Sequence, residues 1–209
     1  MPPLSTLLLF MTAALALNVT PGPDMLYVAT RSTSEGRTAG VVSAFGIAAG
    51  TLVHITALAL GLSALLAAVP LAYDAVRYAG AAYLLYLGAR ALLRPASGGG
   101  SDAAITPAAL GVVFRQGMVT NVLNPKVALF FLAFLPQFVD PARGNAVMQT
   151  VLLGLLFNTS GTIVNVLVAL GASRAGSWLR RGRAGQTLQR VTGVIFVALG
   201  LRLALAGRR

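Results

Sequence analysis

An all-α integral membrane protein of six spans, built as two inverted three-helix repeats with broken first and fourth helices, is the fold class that three observations predict. The 209 residues are 56% hydrophobic and only 10% charged, which fits no ordinary soluble domain. From Thr38 to Tyr73 no Asp, Glu, Lys or Arg occurs, although a span needs only about 20 apolar residues. The third observation is a pair of similar breaks in apolar stretches, Asn18-Val19-Thr20-Pro21-Gly22-Pro23-Asp24 and Asn121-Val122-Leu123-Asn124-Pro125-Lys126. Paired interruptions in corresponding halves point to the binding site of a secondary transporter.

The first span runs from about Leu4 to Thr30 and contains the first break. No basic region precedes it and the apolar run continues through the Pro break, so it reads as a mature helix rather than a removed leader. The second span covers about Thr38 to Leu60 and the third about Ala75 to Leu93, with Gly61 and Pro70 bracketing the expected turn. Residues 94–106 are Gly- and Ser-rich and form a flexible linker. They divide a single membrane domain, 1–209, into repeats of about 1–93 and 107–209. The fourth span runs from near Gly111 through the second break to near Val139, the fifth from about Ala146 to Ala172, and the sixth from about Leu188 to Ala206. Three spans per half is an odd number, so consecutive halves must be inverted.

Lys and Arg are retained on the cytoplasmic side. With the N-terminus outside, ten arginines (Arg31, Arg37, Arg90, Arg94, Arg115 and the five from Arg174 to Arg190) face the cytoplasm. Five face outward: Arg77, Arg143, Arg202, Arg208 and Arg209. Both termini are therefore expected outside. The net charge of +11 is topology-setting, because the aromatic-basic interleaving of a nucleic-acid surface is missing. There is no Cys, which excludes disulfides, thiol redox chemistry and thiolate metal sites.

Proline inside a helix removes a backbone hydrogen bond, and Gly22 widens the accessible conformations. In hydrocarbon the freed groups must be satisfied by protein or line a cavity. The amides of Asn18, Asn121 and Asn124 can satisfy them, or can bind a zwitterion. Half-helices starting after Pro23 and Pro125 would aim positive ends at a carboxylate, and the carbonyls freed upstream would suit an ammonium. Asp24 and Lys126, the chain's one Lys, are charges at membrane depth and so functional candidates, against a structural pair or a snorkelling lysine. Asp24 is also a candidate proton carrier.

His54 is the sole His and a candidate proton relay, against the commoner role of a hydrogen bond to a neighbouring helix. Gly36/Gly40 and Gly46/Gly50 are small-residue pairs for close helix packing, within the fold or in a homodimer. Asn158, Ser160, Thr162 and Asn165 read as interhelical hydrogen-bond partners, with nothing to select which of them lines a path. Arg31 and Glu35 read as a surface salt bridge just after the first span, with a cytoplasmic gate as the alternative. Tyr78, Tyr83 and Tyr86 read as packing or interface anchors.

Thr20-Pro21-Gly22-Pro23-Asp24, the glycine-spaced second span with Gly46, Gly50 and His54, Asn121-Asn124-Pro125-Lys126 leading into Phe130-Phe131, and Leu135-Pro136-Gln137-Phe138 together resemble the LysE/RhtB family of amino-acid exporters. The resemblance covers nearly the whole chain. It implies six helices in a bacterial inner membrane and export of amino acids or close derivatives, driven by the proton gradient. It also implies a transport path lined by the two proline motifs: Asn18, Thr20, Pro21, Gly22, Pro23, Asp24, Asn121, Asn124, Pro125 and Lys126. The scarcity of membrane-depth acids beyond Asp24 favours a neutral substrate. The partners implied are the amino acid, protons and lipid, with no cofactor, no metal and no nucleic acid. An electron carrier would need paired cysteines, and a hydrolase would need a nucleophile beside His54. An exporter of another small solute or of a metal ion, or a non-transport assembly subunit, are the remaining alternatives.

Overall fold

The computed structural model describes residues 2–68 and 108–181, with side chains omitted at 62–68 and 173–181, together with isolated positions between 78 and 93 and between 190 and 205. Every regular element among them is helical. Helix α1 (Leu4–Val19) and helix α2 (Pro23–Glu35) form one apolar stretch bent by 48° at the first break. Helix α3 spans Arg37–Ala68. Helix α4 (Leu110–Val122) meets α5 (Pro125–Leu129) at the second break, and the bend there is 47°. A π turn over Phe130–Phe134 and a 3₁₀ turn over Leu135–Phe138 extend α5. Pro136 lacks the N–H that an α turn would aim at the Leu132 carbonyl, so the ladder widens before it and tightens after it. Helix α6 covers Ala146–Arg181.

Two helices, Arg37–Gly61 and Ala146–Ala172, are long and apolar enough to cross a membrane, and each bent pair makes a further candidate span. The second bent pair and the fifth span follow the predicted boundaries closely. Two expectations need correction. Gly61 is no turn, because α3 continues through it to Ala68. The first span does not end at Thr30, because α2 runs on to Glu35 and is stopped by Gly36 at φ 93°, a conformation glycine tolerates. The third and sixth spans are helical at their isolated described positions, and the 94–106 linker lies outside the described residues.

Small residues set the packing. A Cβ on Gly46 would lie 2.2 Å from the Phe114 carbonyl oxygen, and one on Gly117 would lie 2.8 Å from that of Ser43. Helices α3 and α4 thus touch backbone to backbone, the use expected of the glycine pairs. Gly40 packs against Ser32 and Ala169, whereas Gly36 serves the turn instead. At the far end, Phe10, Phe130, Phe131, Phe134, Phe138 and Phe157 form an aromatic core with neighbouring ring centroids 4.8 to 6.2 Å apart. Leu8, Leu15, Leu52, Ile163 and Leu167 are exposed, as a lipid-facing surface requires.

Candidate functional site at the paired breaks

Each break frees carbonyls, and the structure shows where they go. In a continuous helix Leu17 would accept from the N–H of residue 21, and Asn121 from that of residue 125. Both positions are proline. The Leu17 oxygen is taken instead by Thr20 N at 3.2 Å and by Lys126 Nζ at 3.1 Å. The Asn121 oxygen is taken by Asn124 N at 3.0 Å and by His54 Nε2 at 3.2 Å. A carbonyl only accepts, so His54 carries a proton on Nε2. Each break is therefore pinned by a basic side chain from another segment.

Lys126 also donates to Thr20 O at 3.0 Å, and it is 9% exposed. A Cβ on Gly22 would lie 3.0 Å from Nζ, so the small residue leaves room for the lysine head. Gly22 itself is extended, at φ −155°, so space rather than backbone conformation calls for glycine. Asn124 is the N-cap of α5, its Oδ1 accepting from Lys126 N at 3.0 Å. Its Nδ2 is buried and unpartnered.

Asp24 sits in the first turn of α2, where a carboxylate is favoured by the helix dipole. Asn121 Nδ2 donates to its Oδ2 at 2.8 Å, and Thr51 Oγ1 lies 3.3 Å from Asn121 Oδ1. Asp24 Oδ1 is buried with no partner. Asp24 and Lys126 share one cavity without forming an ion pair within 4.0 Å; the pairs among the described residues are Arg31–Glu35 and Asp140–Arg143.

That cavity measures about 20 Å³, room for roughly one water. Of the predicted site residues, Asn18, Thr20, Asp24, Asn121 and Lys126 line it. Pro21, Gly22, Pro23, Asn124 and Pro125 are not in its lining, and neither is His54, which stacks on Phe131 with centroids 5.6 Å apart. Leu17, Met25, Ile47, Val127 and Phe157 supply an apolar side. Asn158, Thr162 and Asn165 of α6 also line it. Their spacing of four and then three residues places them on one helix face, a pattern visible in the sequence. Ser160 points elsewhere, accepting from Asn18 Nδ2 at 3.0 Å.

Arg31 and Glu35 do not form a surface salt bridge. Their side chains are 11% and 4% exposed, and they belong to a joint between α2 and α4. Arg31 bonds Glu35 and Gln116, Glu35 accepts from Ala108 N at 2.9 Å, and Tyr27 Oη donates to Val113 O at 2.9 Å. Spacing of four residues identifies the pair but not what covers it.

The family model for LysE type translocators matches residues 15–207. The leucine efflux protein of Salmonella choleraesuis is 30% identical over 199 residues, covering 93% of this chain and 92% of that protein. An uncharacterised membrane protein of Pseudomonas aeruginosa is 33% identical over 192 residues, 89% of this chain and 88% of its own. The Bacillus subtilis membrane protein YrhP is 26% identical over 209 residues, 96% and 99% of the two chains. No solved structure matches. The chain belongs to the LysE-type translocator family, and it is a multi-pass membrane transporter rather than an enzyme.

Proposed function

We propose that the protein exports a neutral aliphatic amino acid from the bacterial cytoplasm in exchange for protons, with Asp24 as the proton carrier. The observation that carries this reading is Asp24 Oδ1, a buried carboxylate oxygen with no partner at the wall of the cavity between the breaks. Amides and freed carbonyls around it match a zwitterion, and the apolar side of Leu17, Met25, Ile47, Val127 and Phe157 matches an aliphatic chain. The named activity of the Salmonella relative, leucine efflux, points the same way. At about 20 Å³ the cavity admits no amino acid, so loading requires α2, α4 or α6 to move apart. We read repeats 1–93 and 107–209 as inverted, with both termini outside the inner membrane. The matched bends of 48° and 47°, and the parallel fates of the Leu17 and Asn121 carbonyls, support the repeat.

Counterflow of labelled leucine, valine, threonine and lysine in proteoliposomes, with and without a pH step, tests the reading. Leucine and valine should move faster than lysine, a proton gradient should accelerate them, and Asp24→Asn should lose the acceleration. Asp24→Asn protein with full gradient-driven transport would remove Asp24 as carrier. Movement of no amino acid by folded protein would turn the search to metal ions and other small solutes, and then to a non-transport role.

A further inference from the structure

Two freed carbonyls hold a guest that has the chemistry of a substrate's amino end. Leu17 O and Thr20 O converge on Lys126 Nζ at 3.1 and 3.0 Å. The first has lost its helical donor to Pro21, and the turn that would serve the second is interrupted at Pro23. Lys126 reaches them from the other half of the chain. On the same cavity wall, Asp24 Oδ1 has no partner, and Nζ is not within 4.0 Å of that carboxylate. A buried ammonium and a buried carboxylate thus face one small cavity without pairing.

We propose that Leu17 O and Thr20 O form a seat for a primary ammonium group. Lys126 fills it as a built-in competitor while no substrate is bound, and the α-ammonium of the exported amino acid takes it by displacing Lys126 toward Asp24 Oδ1. This rests on the amino-acid reading above and names the chemical group by which the substrate is recognised. The exchange keeps the carbonyls covered and gives Asp24 Oδ1 the partner it lacks without substrate. Without substrate the carbonyls are covered by Lys126. With substrate they are covered by its ammonium, and the released lysine head covers the Asp24 oxygen. Neither state strands a carbonyl in hydrocarbon, where an unsatisfied group is expensive. The seat has room for one small N–H donor group, because a Cβ on Gly22 alone would already touch Nζ at 3.0 Å. It therefore selects a primary ammonium over a quaternary one, and over acids that lack nitrogen.

Two measurements test this. Methylammonium is the smallest alkylammonium guest, so it should raise the melting temperature of purified Lys126→Met at concentrations about tenfold below those that move wild type, and tetramethylammonium should shift neither. No shift in Lys126→Met, or an equal shift in wild type, overturns the seat. If Met fails to fold, Lys126→Gln takes its place. The second measurement uses unmutated protein. Because Lys126 is the sole Lys, ¹⁵N-lysine labelling gives one Nζ signal. Leucine should move that signal, and 4-methylpentanoate, which is leucine without its ammonium, should not. Leucine binding that leaves Nζ in place overturns the displacement. Lys126→Met should also bind leucine about tenfold more tightly than wild type, the ratio for a seat blocked nine-tenths of the time. If wild type binds no leucine at all, the exporter reading fails by itself, and the methylammonium shift still decides the seat.

Discussion

Asn124 does two things that a single amide rarely does at once. Its oxygen caps α5, while its Nδ2 is left buried and unpartnered beside the break. Losing the cap costs about 1 kcal/mol, and an unpaired buried donor costs on the order of 1–3 kcal/mol by itself. Asn124→Ala removes both contributions, so its net effect should be small, a loss of no more than about 1 kcal/mol. Asn124→Ser keeps a capping oxygen without the stranded amide and should be at least as stable as wild type. Thermal unfolding of wild type and the two variants in one detergent checks the order, and both variants falling well below wild type would show that Nδ2 is partnered after all. Such a residue was legible as an asparagine at a break, and no more. Which of its two ends finds a partner depends on where Lys126 N and the opposing helices lie, which spacing does not encode. The same limit applies to His54. Its place on a small-residue helix was legible, but its partner, the carbonyl freed by Pro125, was not.

Between elements, the breaks and the glycines carry the architecture. Restoring an N–H at the second break gives the Asn121 oxygen back its helical donor, so His54 should matter less. His54→Ala should cost about 0.5–1.5 kcal/mol in wild type and clearly less in Pro125→Ala, a coupling that a double-mutant cycle on unfolding would read. Equal costs in both backgrounds would mean that His54 acts through its stacking on Phe131 alone. The glycines of α3 separate in the same way. A Cβ on Gly46 would sit 2.2 Å from a backbone oxygen that cannot yield, whereas Gly61 has nothing within 4 Å. Gly46→Ala should destabilise by about 1–3 kcal/mol, and Gly61→Ala should be neutral or stabilise by up to about 1 kcal/mol. Both glycines stand in the same apolar run, so periodicity cannot rank them; only the identity of the facing helix does. The bends themselves were fully legible, because proline forbids the hydrogen bonds on which a straight helix depends.

At the scale of the molecule, the Tyr27–Arg31–Glu35–Gln116 joint ties the first half to the start of the second, one turn or more from the cavity. A cavity of about 20 Å³ must enlarge to load an amino acid, and on that side α2 supplies Asp24 and Met25 to its lining and α4 supplies Asn121. The joint holds them closed by charge-assisted hydrogen bonds that are partly sheltered from solvent, so it should set the closed population rather than the chemistry of recognition. Arg31→Ala removes the bonds to both Glu35 and Gln116 and should shift the α2–α4 separation outward. The chain has no Cys, so paired labels at Thr33 and Leu110, both exposed, report that distance without background. Double electron–electron resonance should give a narrow short distance in wild type and an added longer component in Arg31→Ala. Gln116→Ala, which leaves the Arg31–Glu35 pair intact, should give a smaller longer fraction. An unchanged distribution in Arg31→Ala would mean that the joint does not hold α2 and α4 closed, and that opening takes place on the α6 side of the cavity.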